Sequence, residues 1–167
     1  CQRLAGFLQS VRTQHPDYHA RPVGSFGDDC AKLLIGGVAP GMHGANRTGR
    51  PFTGDYAGIL LYQTLHKYGF ATQPESIDAD DDLQLIGCRI TNAVKCLPPE
   101  NKPTPQEIKQ CNGYLMAELT LFAERGGTAL LALGTIAHQA VLMALQLRMK
   151  NFLFAHGAVH DVPGYAS

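Results

Sequence analysis

Apolar side chains recur at helical spacing at Leu4, Phe7, Leu8 and Val11, which predicts a short amphipathic helix over residues 2–14. A loop rich in Pro, His and Gly follows. Ala31-Lys32-Leu33-Leu34-Ile35 is then a short apolar run ending in Gly36-Gly37, the pattern of a buried strand feeding a tight loop. Residues 55–68 read as a helix with Ile59, Leu60, Leu65 and Tyr68 inward, ended by Gly69. Residues 71–87 carry Glu75, Asp78, Asp80, Asp81 and Asp82 without a basic residue and read as a solvated connection, with a cation site as the alternative. Residues 89–95 alternate enough for a second strand. Thr104-Pro105-Gln106-Glu107 is a capping box with proline at the first helical position; the helix it opens runs to about Glu124 and stops at Gly126-Gly127. Residues 128–133 predict a third strand, 136–149 a further helix and 158–162 a fourth strand. Strand and helix alternate, so the expected architecture is α/β: a three-layer αβα sandwich around a central, mainly parallel four-stranded sheet.

Ligands of such sheets bind outside the carboxyl ends of the strands. That points to the loops 36–55 and 96–104, and to a third segment after the last strand, expected beyond Ser167. The 167 residues suit one domain; the chain opens on Cys1 rather than Met and stops before that third segment, so the domain is expected to be truncated at both ends. With 14 Lys+Arg against 14 Asp+Glu, the formal charge is zero, so contact with a polyanion must come from a local patch. The charged fraction of 17% is low, whereas 18 glycines and 10 prolines indicate long structured loops. Half of those glycines fall between Gly24 and Gly58, where the backbone must turn sharply or approach something closely. No apolar run is long enough to cross a bilayer as a helix, no signal-peptide pattern opens the chain, and no membrane association is expected. Cysteines at 1, 30, 88, 96 and 111 are odd in number and irregularly spaced, which fits a reducing compartment better than a disulfide framework. They are either buried hydrophobes or metal ligands.

The chemically dense segment is Gly37-Val38-Ala39-Pro40-Gly41-Met42-His43-Gly44-Ala45-Asn46-Arg47-Thr48-Gly49-Arg50-Pro51-Phe52-Thr53-Gly54-Asp55. No acid lies between Cys30 and Gly54, small residues let backbone amides face an anion, and arginines clamp phosphates. It is neither a P-loop nor a dinucleotide fingerprint. On composition alone, a long structural loop is the competing reading.

This segment closely resembles the first motif of the uracil-DNA glycosylase superfamily, specifically family five (type b). Ile90-Thr91-Asn92-Ala93-Val94-Lys95-Cys96 with Pro98-Pro99-Glu100-Asn101-Lys102-Pro103-Thr104-Pro105 resembles that family's second block, and Ala132-Leu133-Gly134-Thr135-Ile136-Ala137-His138 and Phe154-Ala155-His156-Gly157 match in order. The resemblance covers almost the whole chain. It implies a four-stranded parallel sheet between helices, and a [4Fe–4S] cluster held by Cys1, Cys96 and Cys111, with a fourth cysteine expected upstream as partner of Cys1 in a C-x-x-C pair. Thiolates are the usual ligands of such clusters. Cys30 and Cys88 lie in or beside predicted strands and read as buried, inert thiols.

The resemblance further implies hydrolysis of the bond between uracil, or hypoxanthine and other deaminated bases, and its deoxyribose in DNA. The nucleotide must first be extruded from the duplex. Phe52 resembles the stacking aromatic, against the simpler role of a core residue. The backbone at Val38 and Ala39 would meet the base carbonyl, and Asn92 and Asn101 are base-edge or water contacts or else turn formers. Val38 stands where many relatives carry an acid or Asn and cannot activate water. The resemblance moves that task to Asp55, which is equally placed to be a helix N-cap. His156 matches the His-Gly block near the site, and His43, Asn46, Arg47 and Arg50 would contact DNA. His138 reads as structural, and the histidine that polarises the leaving base is expected beyond Ser167. A monomer acting in the prokaryotic cytosol, at the nucleoid, is expected. The competing function is an iron–sulfur nucleic-acid-binding protein without cleavage.

Overall fold

Leu33-Leu34-Ile35-Gly36-Gly37 is apolar on both faces, as a strand covered on both sides must be, and forms the inner strand β2 (Leu33–Gly37). It pairs in parallel with β3 (Cys88–Asn92) on one side and β4 (Ala129–Ala132) on the other. The computed structural model describes residues 1–162. A two-residue strand, β1 (Phe26–Gly27), pairs antiparallel with β3 and completes the order β1-β3-β2-β4. The sheet is thus four-stranded and mostly parallel, with one antiparallel edge.

The expected fourth strand over 158–162 does not form. His160 there packs edge-on to the Phe152 ring and bonds the Leu153 carbonyl at 3.1 Å, contacts a strand would forgo. The two residues of β1 are too few to carry a strand's periodicity in the sequence.

Helices cover both faces. α3 (Tyr56–Lys67) joins the segment around Ala71, Leu83 and Leu85 against Ile35, Cys88 and Ile90. α4 (Pro105–Glu124) and α5 (Thr135–Ala144) cover the other face through Leu34, Leu115, Leu119, Phe122 and Ala140. The Thr104 capping box is present, with both its reciprocal bonds. α5 stops earlier than expected because Gln146 takes a left-handed conformation, φ 57°, and Leu147 N–H returns to the Leu142 carbonyl. α1 (Gln2–Gln14) packs Leu4, Leu8 and Val11 against the turn after β3 and the start of α4.

Three sequence expectations need correction. α3 turns Gly58, Tyr62 and Leu65 inward, whereas Ile59, Leu60 and Tyr68 are exposed. Two apolar stripes competed, and Tyr62 decides between them because its hydroxyl finds the Pro51 carbonyl at 2.8 Å inside the core. Gly58 on the same stripe lets the Phe52 carbonyl approach where a Cβ would collide. Cys30 is exposed rather than buried. Cys88 is buried as expected, its thiol pushed up to about 12 by burial. β3 ends at Asn92 rather than Lys95, although Ala93 and Val94 N–H still bond the Gly37 and Val38 carbonyls as the chain leaves the sheet.

Candidate active site

Parallel pairing puts Gly37, the last residue of β2, opposite Asn92, the last of β3. A Cβ on Gly37 would sit 2.5 Å from Asn92 Oδ1 and 2.5 Å from the Phe52 ring, so the missing side chain is what lets both close over this strand end. Phe52 holds a left-handed backbone, φ 53°, an unfavourable conformation that the fixed loop around it sustains. Asn92 is 3% exposed, and its Oδ1 has no hydrogen-bond partner among the described residues. A buried acceptor left open is costly, and among the described residues Asn46 Oδ1 and Asn92 Oδ1 are both open; of the two, Asn92 Oδ1 is the one at the strand end, beside Gly37 and close to the Phe52 ring.

The loop that presents Phe52 is braced from within. Thr48 Oγ1 reaches the Gly44, Arg50 and Thr53 carbonyls, and Thr53 Oγ1 meets Ser76 Oγ at 2.7 Å. A four-residue helix, α2 (Ala45–Thr48), forms its middle. At its end Asp55 caps α3, Oδ1 accepting from Gly58 N–H at 3.0 Å. The other side of the carboxylate lies against the 41–44 turn: a Cβ on Gly44 would overlap Asp55 Oδ2, and one on Gly41 would stand 3.4 Å from it. One oxygen thus serves the helix while the second faces the motif loop.

The other expected contacts divide. Val38 and Ala39 are half-buried, Val38 O accepting from Val94 N–H and Ala39 packing against the cluster of Leu4, Val94 and Cys111. His43 is exposed, 2.8 Å from the Tyr18 hydroxyl through Nδ1, with His15 stacked on Tyr18 at 4.4 Å. Arg47 is partly exposed; its Nε donates to the His43 carbonyl at 2.9 Å, and Nη1 stands 3.8 Å from Asp78.

Arg50 is corrected: at 5% exposure it is bound to Asp81 at 2.6 Å, to Ser76 and to the Ala79 carbonyl, and stacks on Phe26. It braces the loop and is not presented to a phosphate. Asn46 is corrected too, being fully buried with Nδ2 turned to the Met42 carbonyl. Asn101 sits exposed in a left-handed turn, φ 56°. His156 is exposed beside Phe154, in a cavity of about 610 Å³ walled by β4, α5, Phe152 and residues 154–162, which does not include Phe52, Asn92 or Asp55.

Three thiols share one neighbourhood. Cys96 and Cys111 belong to the cluster of Leu4, Val94, Ala39 and Ile108. Burial pushes the Cys96 thiol up, Cys111 adds to this, and the N-terminal ammonium at Cys1 opposes it. Cys1 Sγ lies 4.0 Å from Glu107, one helical turn before Cys111. Arg3 binds Glu107 through Nε and Nη2 at 2.6 and 2.7 Å, which ties the start of α1 to the start of α4. Soft donors from three segments around an apolar lining suit a thiolate-held cluster in kind. Among the described residues no three such side chains yet stand close enough to grip a metal ion.

Residues 25–164 match the family described as Uracil DNA glycosylase superfamily. The chain belongs to the uracil-DNA glycosylase superfamily. Within that superfamily it is 49% identical over 169 residues to a type-5 uracil-DNA glycosylase of Thermus thermophilus, covering 98% of this chain and 76% of that protein. It is 46% identical over 166 residues to a type-5 enzyme of Mycobacterium leprae (95% and 72%) and 38% over 174 residues to one of Pyrobaculum aerophilum (100% and 75%). No helix among the described residues is long and apolar enough to cross a membrane. Sequence reasoning missed Tyr18, which lies in a loop without periodicity, and Lys95, whose only signal is a charge inside the apolar stretch Ala93-Val94-Lys95-Cys96-Leu97.

Proposed function

We propose that this protein is a DNA-repair glycosylase that hydrolyses the N-glycosidic bond of uracil in DNA. The observation that carries the reading is the strand-end arrangement of Gly37, Phe52 and the buried Asn92 Oδ1, open among the described residues, with Asp55 closing the same loop. A base inside a duplex cannot be reached, so the nucleotide is extruded and its face stacks on Phe52. The Asn92 amide, acceptor beside donor, complements the N3–H and O4 edge of uracil, and the backbone at Val38 and Ala39 meets the remaining carbonyl. Water attacks C1′ while its proton passes to Asp55. The C1′–N1 bond breaks with its electrons on the base, which leaves as an anion and is protonated afterwards. Asn101 and His156 would act at the rim.

His43 and Arg47 would hold DNA from the exposed side of the loop. Cys1, Cys96 and Cys111 would hold a [4Fe–4S] cluster, which when bound supplies a structural pin between α1, the turn after β3 and α4. Hypoxanthine and other deaminated bases are further substrates in this reading, residues 1–167 belong to one domain, the working form is a monomer, and the work is done on DNA in the prokaryotic cytosol.

The test uses full-length protein in excess over duplexes carrying one uracil, hypoxanthine or thymine, with iron and acid-labile sulfide assayed on the same preparation. Abasic product from the uracil duplex and none from thymine is expected, with iron and sulfide in equal amounts. Duplex binding without product would overturn the catalytic reading, and iron-free or zinc-bound active protein would overturn the cluster.

A further inference from the structure

Lys95 is a buried cation that the chemistry above leaves unused. It follows β3, is 7% exposed, and points its ammonium at Thr91 Oγ1 (2.6 Å), the Asn92 carbonyl (2.8 Å) and Glu118 Oε2 (2.6 Å). An ammonium has three donors and no acceptor, so this set satisfies it. The fully buried Thr91 donates to the same Glu118 oxygen at 2.7 Å. Glu118 stands on α4, so the network fastens the end of β3 to the helix that covers it.

Desolvating the Lys95 ammonium offsets most of what its attraction to the half-buried Glu118 returns, so stability is a weak account of this pair. Its position gives a better one. Asn92 Oδ1 has no partner among the described residues to hold it, so its aim over Gly37 is set through the Asn92 backbone. On one side that backbone is held by the ladder to β2, on the other by the Lys95 ammonium on its carbonyl.

We propose that Lys95, held by Glu118 and Thr91, is a positioning residue for base recognition: it fixes the Asn92 carbonyl and thereby the aim of the Asn92 amide at the extruded base. This rests on the reading of Asn92 as the base-edge contact. Asn92 would touch the base; Lys95 and Glu118 would act only through it.

A double-mutant cycle tests this in the full-length protein, read as the single-turnover rate on a uracil duplex. Lys95→Met keeps the length of the stem and removes the ammonium. It should slow cleavage about tenfold on the wild-type background and less than about twofold on the Asn92→Ala background, because contacting residues couple and independent ones multiply. Affinity for undamaged duplex should not change. An equal slowing on both backgrounds would overturn the positioning role while leaving Asn92 as the base contact. A wild-type rate in Asn92→Ala would overturn both. Glu118→Gln, at a partly exposed position, keeps an acceptor but loses the charge, and serves if Lys95→Met fails to fold. It should likewise slow the wild type and be nearly silent with Asn92→Ala, and equal slowing on both would again overturn the proposal.

Discussion

Asp55 divides its carboxylate between two tasks, and a single substitution separates them. Oδ1 accepts the Gly58 N–H that caps α3, while Oδ2 lies against the 41–44 turn, where only a glycine at 44 leaves room. Asn offers the same capping oxygen, and Asn and Asp are equally good N-caps. Asp55→Asn should therefore melt within a degree or two of the wild type, an expectation of about zero change in capping energy. It removes the proton acceptor, so single-turnover cleavage of a uracil duplex should slow by roughly a hundredfold or more. Residual rate is expected, because stabilising the departing base anion does not require the carboxylate. Full activity in Asp55→Asn would reduce Asp55 to a cap. At this scale the sequence was informative where a residue's role follows from its neighbours in the chain: Asp55 after Gly54 and before a helix, Phe52 in a glycine-rich loop. It misled where a polar side chain turns inward. Arg50 and Asn46 read as surface contacts because spacing carries no sign of burial, and the partner that buries Arg50 lies 31 residues away at Asp81.

Elements were legible where local chemistry is strong. The capping box set the start of α4, Gly126 its end, and the apolar run of β2 its burial on both faces. They were illegible where tertiary contacts chose, as with the inward stripe of α3 or the two residues of β1. The connection between α3 and β3 shows the same limit: its acidic run reads as solvated, yet Asp81 is drawn in and clamps it to the motif loop through Arg50. Burial alone would raise the Asp81 carboxyl, but the Arg50 bond and the N–H groups of Ile77, Leu83 and Asp78 outweigh it and hold the group below its ordinary value. A carboxylate depressed in the folded state contributes stability above its unfolded pKa of about 3.9 and loses it as pH falls through the lower folded value. Asp81→Asn leaves the Arg50 guanidinium buried without its anion, which costs about 3 kcal/mol. Denaturant titrations should show that gap in full at pH 7 and see it close as the wild type is acidified below about pH 4. A gap that persists unchanged into acid would mean that Asp81 contributes packing rather than charge.

At the scale of the whole molecule, balanced charge makes DNA affinity a matter of few contacts. With 14 basic and 14 acidic residues, long-range attraction to a polyanion is absent, and a neutral protein must hold phosphates through individual cations presented by rigid backbone. The motif has two arginines, and the fold separates their fates. Arg50 is spent on Asp81, whereas Arg47 is partly exposed, its stem fixed by Nε on the His43 carbonyl and its terminal nitrogens only loosely opposed by Asp78 at 3.8 Å. An incoming phosphate can displace so long a pairing at little cost, since exposed ion pairs contribute at most about 1 kcal/mol. Each phosphate neutralised by a cation contributes about 0.9 to the slope of log K against log salt. Arg47→Ala should therefore lower the magnitude of that slope by about one and weaken uracil-containing and undamaged duplexes alike, because a phosphate contact carries no sequence information. Arg50→Ala should instead lower thermal stability and leave the slope of the surviving folded protein where it was. Equilibrium binding across a salt series separates the two arginines: an unchanged slope in Arg47→Ala would exclude it from the phosphate contacts, and a reduced slope in folded Arg50→Ala would show that Asp81 releases its partner when DNA arrives.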